Sequence, residues 1–266
     1  MGHSGDASLN LPNVYNKFKA CANGDNVLLP EYCEAYTEVS KLLVYFGNLF
    51  YFVTSDVNHK ISELRDLYAA DKINYKSVEQ MAVYEEKQNE HLPVKKRKCV
   101  GSRTLLRLHR ALLFVIDLMQ EVCRGKLRTP PDEQLKVIAR SVYDKTLSQY
   151  HPWPIRKAVG VAIYALPTRE HLVHHIVQSQ PPGSGLLTNE QCAEFLTSHA
   201  LPVVRKFCFT TVHNEVRYID VTNLLSSSLT LFIRLQHYIL LCLQSLLDFA
   251  CLIWLHDYGN LLRLVH

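Results

Sequence analysis

The sequence lacks the features that mark several common classes of protein. Its eight cysteines form no Cys-X-X-Cys pair and lack the close spacing of a disulfide-bonded secreted domain, which predicts reduced thiols. The first residues contain no apolar segment of signal-peptide length, so we do not expect secretion. The net charge is only +4, and no long basic tail is present. Together these absences favour a cytoplasmic protein and give no indication of a nucleic-acid partner.

Strand signals are also absent, because no segment alternates apolar and polar residues between tight turns. Apolar residues instead recur at helical spacing from Leu28 onward, and no proline interrupts residues 31–70. Two helices, or one helix kinked near Gly47, fit that segment. With 266 residues and an apolar fraction of 48%, the chain is long enough for one large core. The sequence therefore predicts an all-α protein.

Further helices are separated by prolines, glycines and a basic loop at residues 92–102. The helix that opens with Gly101 starts at the end of this loop. The two prolines of His151–Pro154 force a turn, and Pro167 breaks the next helical segment. The other predicted helices cover residues 74–91, 129–150, 155–178 and 192–219.

The last residues of the chain, 221–266, are rich in leucine and apolar almost all round. A transmembrane helix needs roughly 20 apolar residues in a row. Here Arg234, His237 and Asp248 interrupt the run, and each charge at a bilayer centre costs about 2.5–3.5 kcal/mol. An interfacial or partner-binding helix therefore explains this tail better than a membrane span.

Charge meets apolar sequence at two places. Arg103, Arg107 and Arg110 are spaced i, i+4 and i+7, so they project from one face of a helix that is otherwise almost wholly apolar. Asp56 and Lys60 lie one turn apart at the end of another apolar run. Read separately, these are a solvated helix face and a surface salt bridge worth about a few tenths of a kcal/mol.

Taken together, the two basic sites indicate a phosphate. Guanidinium groups donate in a fork that matches phosphate oxygens, and a phosphate removed from water needs several such donors. A lysine and two arginines can neutralise a phosphomonoester, which carries about −1.5 to −2 charges. An adjacent apolar cavity would take a lipid chain, because each buried methylene contributes about 0.8 kcal/mol.

The segment around the two prolines combines a histidine, an aromatic ring and two cations. His151 can donate or accept a hydrogen bond at neutral pH. Trp153 beside Arg156 and Lys157 suits the interface of a membrane with anionic lipids. A buried tryptophan and a histidine that caps a turn are the alternative.

The sequence gives little support for catalysis or metal binding. His171 and His175 have the i, i+4 spacing of metal ligands, but no nearby carboxylate or thiol completes a ligand set. A lipid phosphatase would need a metal cluster or a placed nucleophile and acid, and neither appears beside the arginines. We therefore predict a protein that is not an enzyme, with no catalytic residue, metal or cofactor.

Four stretches of the chain carry a resemblance to a known family. The stretches VLLPEYCEAYTEVSKLLVYFGNLFYFVTSDVNHKISELRDL, GSRTLLRLHRALLF, LSQYHPWPIRKAV and ALPTRE resemble the glycolipid transfer protein superfamily, in particular its ceramide-1-phosphate branch. The likeness implies a family domain over residues 9–220 and leaves 221–266 as an apolar extension. It implies an all-α, two-layer helical sandwich that encloses a hydrophobic lipid pocket. Such proteins move one sphingolipid between membranes without chemistry.

The resemblance also implies a role for individual residues. In the branch that the chain resembles, the aspartate at the position of Asp56 holds the ceramide amide, and the lysine at the position of Lys60 contacts phosphate. Arginines matching Arg103 and Arg107 complete the phosphate site, and a histidine matching His151 binds the amide-linked part of the lipid. The glycolipid-binding relatives carry asparagine in place of Lys60 and a sugar-stacking tryptophan in place of Arg107.

Three points stay open at this stage. A further basic residue contacts phosphate in this branch, and Lys96 and Arg97 are alternatives for it; Arg110 matches a supporting residue.

The leading expectation is a cytoplasmic carrier of ceramide-1-phosphate that docks transiently on anionic membranes. The alternative is a membrane-held sphingolipid sensor or tether that uses the tail at 221–266, which nothing in the family accounts for. The oligomeric state is not indicated.

Overall fold

The structure is a computed structural model that describes part of the chain. Every described residue belongs to the first of two compact units, Met1–Asp220. The predicted tail at 221–266, the end of the predicted domain at 208–220 and the entry to the helix predicted at 129–150 lie outside the described residues. The described residues are 8–24, 26–47, 50–93, 96–124 and 134–207.

Helices make up most of the described chain, which confirms the all-α prediction. A short antiparallel pair, β1 (Ala22–Asn23) and β2 (Asn26–Val27), is the exception, and two residues a strand are too few to show alternation in the sequence. Beyond the last helix, a π-helical segment, Leu196–Ala200, leads into helical residues 201–207. The α-helices are α1 (Leu11–Ala20), α2 (Leu29–Ser40), α3 (Tyr51–Ala70), α4 (Val78–Asn89), α5 (Val100–Arg124), α6 (Gln134–Thr146), α7 (Trp153–Tyr164), α8 (Arg169–Gln178) and α9 (Asn189–Phe195).

The long apolar segment without proline forms two helices rather than one kinked helix. A 3₁₀ segment, Lys41–Phe46, follows α2, and Gly47 ends it with a φ of +86°. A positive φ is readily available only to glycine, so this residue lets the chain leave the 3₁₀ segment before α3.

The basic loop predicted at 92–102 is shorter in the structure, because α5 already begins at Val100. Glu85 on α4 explains this early start. Its carboxylate accepts hydrogen bonds from the backbone N–H groups of Gly101 (2.7 Å) and Ser102 (2.9 Å). Backbone N–H groups in the first turn of a helix lack hydrogen-bond partners within the helix, so the buried carboxylate accepts their hydrogen bonds.

Helix α5 lies at the centre of the unit and packs against α3, α4 and α6. The side chains of Leu105, Leu108, Leu112 and Ile116 on α5 are almost completely buried. Their i, i+3 and i+4 spacing places them on one stripe of the helix, as the sequence predicted. Within the described part of the chain, no helix has the length and apolar character that crossing a membrane requires.

Candidate lipid headgroup site

Helix α3 supplies the first part of the site. Lys60 and Asp56 form an ion pair across one helical turn. The side chain of Lys60 is only 11% exposed and that of Asp56 is 39% exposed, so the interpretation as a surface salt bridge is wrong for the lysine. Burying an ammonium group is costly unless it is paired. Asp56 is therefore the counter-charge that the buried Lys60 side chain requires.

Helix α5 brings its three arginines to the same side, and all three are half-buried rather than solvated. Burial lowers the pKa of the Arg107 guanidinium, and the neighbouring charge of Arg103 lowers it further. The carboxylates of Asp56 and Glu63 on α3 act in the opposite direction. Arg107 therefore lies within electrostatic reach of the Asp56–Lys60 pair, and the structure brings the two basic sites together.

Arg103 holds the loop before α5. Its guanidinium donates to the carbonyl oxygens of Arg97 (2.8 Å) and Cys99 (3.2 Å). Arg97 is half-buried, and its Nε donates to the carbonyl oxygen of Leu92 at 3.2 Å, whereas Lys96 is exposed. Of the two alternatives, Arg97 is thus the residue whose backbone contacts the candidate site.

The start of α5 is fixed by close packing against α4. The Oγ of Ser102 donates to Glu85 at 2.7 Å, in addition to the two backbone bonds. A Cβ atom at Gly101 would lie 2.5 Å from the Sδ of Met81, so glycine permits this close approach. Glu85 and Gly101 therefore set the depth at which Arg103 and Arg107 lie.

His151 enters the site from the turn before α7. Its Nδ1 lies 2.9 Å from the hydroxyl of Tyr143 on α6. Burial lowers the pKa of His151, the charge of Asp56 raises it and the charge of Lys60 lowers it. The histidine is therefore neutral at pH 7 and lies within electrostatic reach of the α3 ion pair. A neutral imidazole can donate from one nitrogen and accept at the other.

The predicted docking residues follow directly on α7. Trp153 is 63% exposed, which rules out the alternative of a buried tryptophan. The Nζ of Lys157 lies 5.7 Å from the Trp153 ring centroid, and Arg156 is exposed. Tyr164, which the sequence analysis missed, is 79% exposed, and its i+11 spacing places it on the same side of the helix as Trp153.

The two histidines of the i, i+4 pair on α8 have different surroundings. The ring of His175 stacks on that of Tyr45 with centroids 5.5 Å apart. The backbone N–H of His171 donates to Thr168, which caps α8. In the ranges that the structure describes, no group of three histidine, cysteine or acidic side chains is placed to hold a metal ion.

Three further residues near the site carry no strong sequence signal. Glu85 is one of many acidic residues, and only its burial at the end of α5 distinguishes it. Tyr143 lies eight positions before its partner His151. Tyr150 is visible in the segment QYHPW, but its partner Arg110 lies 40 positions earlier; the Arg110 guanidinium carbon is 3.6 Å from the Tyr150 ring centroid.

A helical sandwich with an apolar interior and half-buried cations at its edge defines a class of helical lipid carriers. The model of the family "Glycolipid transfer protein" matches residues 27–178, and the chain belongs to the glycolipid transfer protein family. The fold is accordingly the two-layer, all-α sandwich of that family.

Related proteins are named for transfer of a phosphorylated sphingolipid. The chain is 33% identical to the bovine ceramide-1-phosphate transfer protein over 206 residues, which cover 76% of this chain and 90% of the relative. The zebrafish protein of that name is 34% identical over 169 residues, 61% of this chain and 77% of the relative. The human protein in complex with 2:0 ceramide-1-phosphate superposes with a TM-score of 0.66 at 29% identity, over 80% of this chain and 99% of the other.

Proposed function

We propose that this protein transfers ceramide-1-phosphate between membranes without converting it. One observation carries the proposal: Lys60 on α3 and half-buried Arg107 on α5 both lie within electrostatic reach of Asp56, and Arg103 lies beside Arg107. Cations removed from water are costly to keep, so their convergence favours an anionic ligand. The relatives described above support a sphingolipid as that ligand.

The phosphate is the part of the lipid that these cations suit. A phosphomonoester carries about −1.5 to −2 charges at neutral pH and offers three acceptor oxygens. Each guanidinium can present two parallel N–H donors, whereas Lys60 acts as a point charge. Arg103 uses one Nη and its Nε for the carbonyls of Arg97 and Cys99, which leaves its other N–H groups for the ligand.

The amide-linked part of the lipid suits the other two residues. The Asp56 carboxylate can accept a hydrogen bond from an amide N–H or a hydroxyl, and its bond to Lys60 fixes its orientation. Neutral His151, held by Tyr143, supplies a donor or an acceptor beside it. A lipid that lacks a phosphate would displace water from these cations without accepting their hydrogen bonds, and a lipid that lacks the amide would not donate to Asp56.

The apolar interior suits the hydrocarbon chains. The buried stripe of α5, from Leu105 to Val122, continues directly from the arginines into the core. Each methylene that leaves water there contributes about 0.8 kcal/mol. The headgroup site at the front of α5 therefore supplies selectivity, and the stripe behind it supplies most of the affinity.

The exposed face of α7 suits the surface of an anionic membrane. Trp153 and Tyr164 present aromatic rings to solvent, and Arg156 and Lys157 lie between them. Amphipathic aromatic rings favour the headgroup region of a bilayer, and cations near an anionic leaflet gain about 1 kcal/mol each. We propose that the protein docks through this face while lipid enters or leaves.

A vesicle transfer assay tests the proposal. Ceramide-1-phosphate, a simple glycosylceramide and sphingomyelin should be compared as cargo in otherwise identical vesicles. We expect transfer of ceramide-1-phosphate to exceed that of the other two lipids by at least about tenfold, since each charge-assisted hydrogen bond to the phosphate contributes about 1.5–3 kcal/mol. Preference for the glycolipid would contradict the assignment of the headgroup. Release of free phosphate from the cargo would contradict the absence of chemistry.

A further inference from the structure

We infer that Arg110 and Tyr150 form a clamp that positions His151 and Trp153, and so joins the headgroup site to the membrane-docking face. This inference rests on the proposed function and adds a positioning device to it. The guanidinium carbon of Arg110 lies 3.6 Å from the centroid of the Tyr150 ring. At this distance a planar guanidinium packs directly on the aromatic face.

The environment of Arg110 favours its contact with the Tyr150 ring. It is half-buried on α5, three residues after Arg107. Burial is the main cause that lowers the pKa of Arg110; the charge of Arg107 lowers it further, and Tyr150 raises it. Among the described residues, no carboxylate forms a salt bridge with Arg110. The ring therefore provides the compensation that an acidic partner would normally give.

Tyr150 lies at the end of a tightly bonded turn. Its backbone N–H donates to Leu147 at 3.0 Å, and that of His151 donates to Ser148 at 3.2 Å. Pro152 then caps α7, and its ring fixes the backbone φ that leads into Trp153. Four consecutive residues, 150–153, thus follow one constrained path. Displacing the Tyr150 ring would displace the histidine and the tryptophan with it.

The two ends of this turn face two different ligands. His151 lies within electrostatic reach of the Asp56–Lys60 pair, whereas Trp153 is 63% exposed at the surface. Tyr143 on α6 holds the other side of the turn: its hydroxyl contacts the imidazole of His151, and its carbonyl oxygen accepts from the backbone N–H of Leu147 at 3.0 Å. The Arg110–Tyr150 contact ties the turn to α5, the helix that carries Arg103 and Arg107. The clamp therefore fixes the distance between the phosphate site and the docking face.

The experiment compares variants of the full chain. Arg110→Leu, Tyr150→Leu and the double variant remove the contact, and Tyr150→Phe keeps an aromatic face for the cation. Lys19→Leu is the matched control, because Lys19 lies 5.6 Å from the Tyr15 ring on α1, a helix that contributes no residue to the candidate site. Two readouts are needed: hydrogen exchange at the amides of Tyr150 and His151, and ceramide-1-phosphate transfer between vesicles.

We expect each leucine variant to speed exchange at both amides and to lower transfer about tenfold, the size of a partly desolvated cation–π contact. The double variant should be no worse than either single variant, because both remove the same contact. Tyr150→Phe should stay within about twofold of the wild type, since the ring face is kept. Lys19→Leu should leave both readouts unchanged.

Three results would overturn the clamp. The first is unchanged amide exchange in Arg110→Leu, and the second is additive losses of transfer in the double variant. The third is faster exchange with wild-type transfer, because the contact would then be structural and would position nothing that the lipid uses. If the wild-type protein moves no ceramide-1-phosphate, the proposed function fails, and the exchange comparison still decides whether Arg110 positions the turn.

Discussion

Arg107 combines a charge with a half-buried position near the opposite charge of Asp56. We predict that Arg107→Leu lowers ceramide-1-phosphate transfer at least about tenfold, because charge-assisted hydrogen bonds contribute about 1.5–3 kcal/mol each. The fold should survive, since leucine fits a helix and removes a cation that is costly to bury. Vesicle transfer and thermal unfolding followed by circular dichroism measure the two effects.

A matched control for this variant is Arg140→Leu. Arg140 is an exposed arginine on α6 that pairs with Asp144 at 3.0 Å, outside the candidate site. Its loss should leave transfer close to the wild-type rate. Transfer by Arg107→Leu at the wild-type rate would remove Arg107 from the headgroup site.

His109 gives a residue-scale prediction about acid stability. The side chain is completely buried and stacks on the Tyr32 ring with centroids 5.3 Å apart. Burial lowers its pKa from 6.5 to about 4. Its Nε2 has no hydrogen-bond partner among the described residues. The unfolded chain therefore binds a proton below pH 6.5 that the folded chain does not.

The direction in which the free energy of unfolding changes with pH follows from this difference in proton binding. The stabilising contribution of neutral His109 is fully present above pH 6.5 and is lost as pH falls from 6.5 towards 4, where the loss levels off. The free energy of unfolding should fall by about 2–3 kcal/mol between pH 7 and pH 4.5 on account of this residue. Urea denaturation of His109→Leu should show that much less dependence on pH. His171→Leu, a change at an exposed histidine on α8, should retain the wild-type dependence.

At the scale of one element, α5 depends on a single carboxylate at its start. Glu85 is 3% exposed and accepts from Gly101, from the Ser102 backbone and from the Ser102 hydroxyl. The Tyr75 hydroxyl also donates to Glu85, at 3.3 Å. We predict that Glu85→Leu lowers the free energy of unfolding by about 2–4 kcal/mol, because four buried donors lose their acceptor. Urea denaturation measures this loss.

The same change tests how α5 supports the site. Fraying of its first turn would displace Arg103, so transfer by the remaining folded Glu85→Leu protein should fall as well. The neighbouring Glu86→Gln keeps all four hydrogen bonds to Glu85 and should change neither quantity by much. A stable Glu85→Leu protein would show that the start of α5 is held by packing alone.

Helix α7 is the element that we expect to contact the membrane. Trp153→Ala should weaken binding to anionic vesicles about tenfold and slow transfer, because it removes a large exposed amphipathic ring from the docking face. Binding of soluble short-chain ceramide-1-phosphate should not change, since the indole lies outside the headgroup site. Sedimentation with vesicles and a titration with the short-chain lipid separate the two effects. Wild-type vesicle binding by this variant would exclude Trp153 from the docking face.

At the scale of the whole molecule, the apolar residues 221–266 bear on the rate of the transfer cycle. A carrier must leave the membrane in every cycle, and a large apolar patch favours retention. We predict that a chain ending at Asp220 transfers ceramide-1-phosphate at least as fast as the full chain and sediments less with vesicles. Loss of transfer in the shorter chain would assign the tail a direct part in carrying lipid. Membrane retention of the full chain without transfer would favour the sensor or tether.

The sequence predicted the described fold well where patterns are local. The breaks at Gly47 and Pro167 fall between helices, because proline and glycine act on the backbone of their own neighbours. The turn predicted at His151–Pro154 ends earlier, because Trp153 and Pro154 already form the first turn of α7, where proline is tolerated. The predicted loop extended to residue 102, whereas α5 begins at Val100. The partner that extends the helix, Glu85, lies 16 positions away from Gly101.

The candidate site shows the same division. Helical spacing alone placed Asp56 beside Lys60 and put Arg103, Arg107 and Arg110 on one side of α5. The short 3₁₀ segment, the β1–β2 pair and the exposure of Tyr164 had no periodic signal to reveal them. The partners of His151 and Arg110 come from other elements, so no pattern within one segment could indicate them.

The sequence by itself determined the helical class, the order of most helices and the residue types of the cationic site, because these depend on spacing along the backbone. Tertiary structure alone decided that Lys60 is buried, that Trp153 is exposed and that α3 and α5 bring their charges together. Burial and charge proximity depend on how helices pack, and packing joins residues that are far apart in the chain. For this reason the sequence was compatible with a surface salt bridge and a solvated arginine face, whereas the folded structure is not.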